Sequence, residues 1–360
     1  MTSLFSPLRL RGLELANRIV AGPMCQYCAV DGAATDWHRT HLATLANSGY
    51  GLLMIEATAV EPVGRISLGC LGLYSDATEA ALAGTVALSR RHGFAAIGLQ
   101  IGHAGRKGST LPPWDGGGPL APGAGAWPVV GPSAVPHREG MPVPQPLDRA
   151  GLRRIRDAFV AAAARAERIG IDLLELHLAH GYLLHQFLSP LSNRRDDAYG
   201  GSLDNRLRFP LEVFAAVRAA WPDSKPLGVR ISASDHVPGG WDTDQSAVLV
   251  RRLIDAGCDF VTVSSGGLSP NQKITPGPGY QLPLVDALRA ATTVPVIATG
   301  MLQDPRLADQ AVAQGRADLI AIARGALDNP HWPWHAARVL GAKVMHPRQY
   351  ARAAPGVWSP

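Results

Sequence analysis

The stretch Ile171-Asp172-Leu173-Leu174-Glu175-Leu176-His177-Leu178-Ala179-His180-Gly181-Tyr182 decides how the chain is read. Its first half is a short, nearly continuous apolar run, the pattern of a strand buried on both faces of a parallel sheet. Its second half sets two imidazoles and a phenol where that strand ends. Working outward, the alternation recurs. Candidate strands cover 18–21, 51–59, 95–101, 172–177, 227–231, 260–264, 294–298 and 318–322. Amphipathic, alanine-rich candidate helices cover 38–47, 77–92, 149–169, 205–220, 242–256, 281–291, 306–314 and 334–340. Gly49, Gly93, Gly170, Gly257 and Gly315 stand just past helix ends, where glycine stops a helix. Eight strands, each followed by a helix, predict an α/β chain closed into a (β/α)8 TIM barrel. The alternative is an open doubly wound sheet, which carries a glycine-rich turn after its first strand. Gly22-Pro23-Met24-Cys25 stands there instead.

The 360 residues include 46% hydrophobic ones, enough for a large core, and the formal charge is +5. The basic residues are dispersed, so no nucleic-acid partner is expected. Four cysteines in so long a chain fit a reducing cytoplasm better than a disulfide scaffold. The first fifteen residues lack the apolar core of a secretion signal. No apolar run approaches the roughly 20 residues that span a bilayer. The expectation is one cytoplasmic domain over 1–360, without a membrane partner.

The Pro- and Gly-rich segment 107–146, with Trp114 and Trp127, interrupts the alternation between the third strand and its helix. It is expected to cap the C-terminal face of the barrel, where such enzymes hold their chemistry. Residues expected at that face are Pro23, Met24, Cys25 and Tyr27 after strand one, Ala57 at strand two, and Gln100 and His103 at strand three. Strand four adds His177, His180 and Tyr182, strand five Arg230, strand seven Gly300 and Met301, and strand eight Ala323 and Arg324. Loops seven and eight form the usual phosphate cradle of this fold. Arg230 needs an anionic partner, either a ligand or one of Asp172, Glu175 and Glu56. The two histidines could grip one oxygen, bind a metal or satisfy local carbonyls. Cys25-Gln26-Tyr27-Cys28 has the C-x-x-C spacing of a redox pair or half a zinc site, without a second such motif.

The chain resembles the Old Yellow Enzyme family, in its thermophilic-like, xenobiotic-reductase subclass. The motifs carrying the resemblance are Asn17-Arg18-Ile19-Val20, Pro23-Met24-Cys25-Gln26-Tyr27, His103-Ala104-Gly105-Arg106-Lys107, His177 to Leu183, Leu188 to Asn193, Asp197 to Ser202 and Asn205-Arg206. The resemblance implies non-covalent FMN and an NADPH- or NADH-dependent, ping-pong reduction of α,β-unsaturated carbonyl compounds, enones and enals. It implies that Cys25 tunes the flavin, that Pro23, Met24, Ala57, Gln100 and Arg230 contact it, and that Gly300, Met301, Ala323 and Arg324 hold its phosphate. His177 and His180 would hold the substrate oxygen, Tyr182 would protonate the α-carbon, and Tyr27 would line the pocket. Arg352 and Trp358, in a tail over 345–360, would reach a neighbouring subunit's site in a homodimer or dimer-based assembly. Two positions depart from the family pattern: Gly22 stands where relatives often carry a hydroxyl residue or proline, and Ala323 where glycine is common. The competing class is a flavin-free lyase or isomerase of a phosphorylated substrate, motivated by the cradle alone.

Overall fold

The computed structural model describes residues 2–353 and Val357. In chain order its strands are β1 (Leu8–Leu10), β2 (Leu13–Leu15), β3 (Ile19–Ala21), β4 (Leu52–Ala59), β5 (Ala96–Gly102), β6 (Val130–Gly131), β7 (Gln145–Pro146), β8 (Leu173–Leu178), β9 (Leu227–Ser232), β10 (Val261–Ser264), β11 (Val296–Ala298) and β12 (Leu319–Ile322). Eight of them, β3, β4, β5, β8, β9, β10, β11 and β12, close into one barrel in that order. Every barrel pairing is parallel. The chain is therefore a (β/α)8 barrel. All six residues of β8 are buried, as a strand between a packed lumen and a helix layer must be.

Helices start where a capping side chain is available. Ser75, Asp148, Ser202 and Asp242 each accept a backbone N–H from the first turn. Several helices begin one or two residues before the expected start, as at Asp36–Ala46, whose added residues Asp36 and Trp37 are exposed and so carry no apolar period. Of the five stop glycines, four have the left-handed φ expected, but Gly93 does not, at φ −108°. Gly93 is required for another reason: a Cβ there would stand 2.5 Å from that of Ala46.

Two cores result. The larger lies between barrel and helices and includes Phe159, Leu176, Phe214 and Leu249. The smaller fills the lumen at the strands' N-terminal ends with Val20, Leu52, Met54, Leu173, Phe260, Ile297 and Leu319. The antiparallel hairpin β1–β2 plugs that end, adding Leu10 and Leu15 to the same cluster. Burial of this apolar surface holds the plug in place.

At the opposite end, the excursion between β5 and the helix Arg149–Arg168 is tied down by side chains. Arg106 donates to the carbonyls of Val135, Pro136 and Leu268, and Trp127 Nε1 to that of Val63. These bonds link the excursion to the loops after β4 and β10. Among the described residues, no helix is long and apolar enough to cross a membrane.

Candidate active site

The turn after β8 has no regular structure to satisfy its backbone, so side chains do it. Ala179 N donates to His177 Nδ1 at 3.1 Å, His180 N to Ser232 Oγ at 2.9 Å, and Gly181 N to His185 Nδ1 at 2.9 Å. Lys107 Nζ donates to the carbonyls of His180 and Gly267 at 2.8 and 2.9 Å. His180 and Gly181 both take left-handed φ values, +56° and +73°. This double reversal brings the ring centroid of His177 within 5.0 Å of His180 and 4.8 Å of Tyr182. A Cβ on residue 181 would sit 2.3 Å from the carbonyl oxygen of Gly267. Gly181→Ala is therefore expected to cost at least the ~1–3 kcal/mol of a strained backbone position, read as a lower urea midpoint.

The backbone contacts also fix protons. An amide N–H can only donate, so His177 Nδ1 is an acceptor and its proton is on Nε2. The same argument puts the His185 proton on Nε2, which lies 3.0 Å from Asp235 Oδ1, both side chains being fully buried. His177 and His180 are held well below the ordinary histidine pKa, first by burial and then by the charge of Arg230. His137 is pushed down to about 4, mainly by burial. Below about pH 6.5 the unfolded chain binds protons that these folded histidines refuse. Their contribution is thus complete above that pH and is lost as pH falls. The urea midpoint should drop on acidification, and His177→Asn with His180→Asn should make that slope shallower.

Burial pushes the Tyr182 phenol well above its ordinary value, with the nearby Cys25 and Tyr27 adding to the shift. Lys107 lies 5.2 Å from the centroid of the Tyr182 ring, and burial lowers its ammonium to about 8. The turn thus holds two neutral imidazoles beside a firmly protonated phenol.

His180 faces a cavity of about 450 Å³, within the roughly 300–1,000 Å³ typical of ligand sites. Arg230, from β9, lies opposite His177 in the sheet register and lines the same cavity. Gly22, Gly300, Met301, Ala323 and Arg324 line it too, from the loops after β3, β11 and β12. Gly300 and Met301 both have positive φ, +106° and +54°. None of the acidic residues considered for Arg230 forms an ion pair with it. Asp172 pairs with Arg90, Glu56 with His38, and Glu175 accepts from Gln100 Nε2 at 2.7 Å and from Thr262 Oγ1. Among the described residues the buried Arg230 Nε has no partner. A cavity with this cation at one place and Arg324 beside glycine-bearing loops at another fits a ligand carrying an electron-rich ring and a phosphate.

His177, Tyr182, Ala57, Cys70 and His103 line a second, small pocket. Gln100 lies in the strand layer on Glu175, and His103 bonds Glu61 at 2.9 Å. Pro23, Met24, Cys25 and Tyr27 occupy the loop after β3 and line neither cavity. Tyr27 meets Trp114 of the excursion edge-on at 5.4 Å. The C-x-x-C spacing makes no pair: all four cysteines are free, and Cys28 donates to the carbonyl of Gln26. The Cys25 thiol is instead pushed up in pKa by the neighbouring Cys70 thiol and by burial. Arg352 is exposed and lines neither cavity, and Trp358 lies outside the described residues.

The two family departures are neighbours. A Cβ on residue 22 would lie 3.3 Å from that of Ala323. The methyl added at one position therefore stands against the one missing at the other. Sequence reading also passed over the supports of the turn: Lys107, Ser232, Ser264 and the His185–Asp235 pair. The Ser264-Ser265-Gly266-Gly267 run at a strand end was the available signal.

A profile of the NADH:flavin oxidoreductase / NADH oxidase family matches residues 3–341. The chain is 43% identical over 353 residues to an NADPH dehydrogenase of Geobacillus thermodenitrificans, covering 98% of each chain. Morphinone reductase in complex with tetrahydroNAD superposes with a TM-score of 0.78 at 27% identity, over 95% of this chain and 92% of that one. A 2-naphthoyl-CoA reductase complex shares the fold, with a TM-score of 0.84 at 24% identity, and this chain spans 52% of its length.

Proposed function

The chain belongs to the NADH:flavin oxidoreductase / NADH oxidase family, and from that premise we propose that it is an FMN-dependent reductase of activated alkenes, using NADPH or NADH in a ping-pong cycle. The observation that carries the reading is the single cavity bordered by His180, Arg230, Gly300, Met301 and Arg324. When bound, FMN supplies hydride transfer between a nicotinamide and a second substrate. Arg230 meets the electron-rich edge of its ring, and the loops bearing Gly300, Met301, Ala323 and Arg324 hold its phosphate. Gln100, Ala57, Pro23 and Met24 shape the ring site, with the Cys25 thiol tuning it.

The substrate is an α,β-unsaturated carbonyl compound. His177 and His180 donate hydrogen bonds to its oxygen. Being neutral, each imidazole keeps its proton while it stabilises the charge that develops on that oxygen. Tyr182, kept protonated, gives its proton to the α-carbon. Tyr27, which meets Trp114 edge-on, lies toward the substrate. The exposed Arg352 is available to a second copy of the chain, in keeping with the expected homodimer.

The purified protein should be yellow or take up FMN, and 2-cyclohexenone should accelerate its NADPH oxidation. A colourless protein that refuses added FMN would favour the flavin-free barrel instead. Tyr182→Phe should slow alkene reduction by about 10²-fold, within the usual range for a general acid. Its reduction by NADPH should be unchanged, as stopped-flow measurement of each half-reaction would show.

A further inference from the structure

The carbonyl clamp needs an N–H on each imidazole, directed at the substrate. For His177 the Ala179 amide settles this. For His180 no backbone group bonds the ring. Its Nε2 lies 2.7 Å from Ser264 Oγ, and among the described residues no group pairs with its Nδ1. Two arrangements satisfy the short contact. If Nε2–H donates to Ser264, then Nδ1 is bare and repels a carbonyl oxygen. If the Ser264 hydroxyl donates to Nε2, then Nδ1–H is free to donate.

The surroundings of Ser264 choose between them. Arg230 Nη2 lies 3.5 Å from the same oxygen and Gln281 Nε2 lies 3.4 Å away. Both contacts are long, but a guanidinium can only donate. It therefore turns the oxygen lone pairs toward itself and the hydroxyl proton away. Its positive charge also disfavours another N–H at that oxygen. The hydroxyl proton is left for the shortest contact, His180 Nε2. We infer that Ser264 is a positioning residue that fixes His180 in its Nδ1–H form, so that His177 Nε2–H and His180 Nδ1–H address one substrate oxygen.

This inference rests on the clamp reading above, but its test has a readout independent of turnover. Nitrogen NMR of 15N-histidine-labelled protein reports which ring nitrogen carries the proton, with His180 assigned by its absence in His180→Asn. The wild type and Ser264→Thr, which retains the hydroxyl, should show His180 protonated on Nδ1. Ser264→Ala should shift it toward Nε2–H. In the FMN-loaded enzyme, Ser264→Ala should slow reoxidation by 2-cyclohexenone about tenfold, less than the ~10²-fold of an absent donor. Reduction by NADPH should hold, and Ser264→Thr should restore the rate. A wild-type His180 protonated on Nε2 overturns the inference, as does a tautomer indifferent to Ser264→Ala. Because the first of these needs no Ser264 variant, a misfolded Ser264→Ala leaves the inference testable. Wild-type protein inert to enones would count against the proposed function, while the NMR result would still decide the role of Ser264.

Discussion

Replacing His177 and His180 together by alanine leaves FMN bound and lowers alkene reduction by at least about 10²-fold, the usual cost of losing even one oxyanion donor. The two rings lie 5.0 Å apart on one turn, so they can act on a single oxygen. His177 faces the small pocket with Tyr182, while His180 borders the large cavity beside Arg230. The clamp thus spans the boundary between the proposed cofactor and substrate sites. Removing both rings takes away the substrate contacts, while Arg230 and the Gly300 and Arg324 loops remain. The measurement is the rate of each half-reaction by stopped flow, with FMN content read from the spectrum. Alkene reduction at the wild-type rate would remove the pair from the mechanism. Loss of FMN would instead make them cofactor residues.

The second large effect concerns Arg230. Arg230→Met should weaken FMN binding by about ten- to a hundredfold, corresponding to the ~1.5–3 kcal/mol of hydrogen bonds to a charged group. It should do so without destabilising the apoprotein. Among the described residues Arg230 makes only the long contact to Ser264, and its Nε has no partner. A charge held in a barrel mouth without an ion pair costs folding energy, so removing it is neutral or stabilising. Glu175 is fully buried, its carboxyl pushed up by burial and pulled down by Arg230. In the variant Glu175 should therefore be protonated more readily, which relieves the remaining charge. FMN fluorescence titration of the apoprotein gives the affinity, and urea denaturation gives the stability. Unchanged affinity would take Arg230 out of the cofactor site. A large loss of stability would make it structural.

The barrel was legible because its strands are buried on both sides. A lumen and a helix layer leave runs such as Leu52–Ala59 and Leu173–Leu178 almost wholly buried and mostly apolar, and the intervening amphipathic helices supply the other half of the pattern. The candidate residues that line the two cavities, among them His177, His180, Tyr182 and Arg230, were legible because this fold places them at strand ends, where a polar residue interrupts an apolar run. Three features were not. The β1–β2 hairpin is two three-residue strands, too short for a period to register, and its leucines acquire meaning only against the lumen. The proximity of Gly22 and Ala323 joins residues far apart in the chain through barrel closure. Lys107 and Ser264 act on the turn through a backbone carbonyl and a ring nitrogen, contacts that leave no periodicity behind. For Arg230, sequence reading left a structural bridge and a ligand equally open. The pairing of Asp172 with Arg90 and of Glu56 with His38 is a matter of geometry that spacing does not encode.

One measurement bears on the whole account. Enzyme reduced anaerobically with one equivalent of NADPH is mixed with 2-cyclohexenone, and flavin colour and product are followed through a single turnover. The yellow colour should return rapidly, with about one cyclohexanone formed per bound FMN. A reduced enzyme that stays bleached with the enone as long as without it would contradict the account.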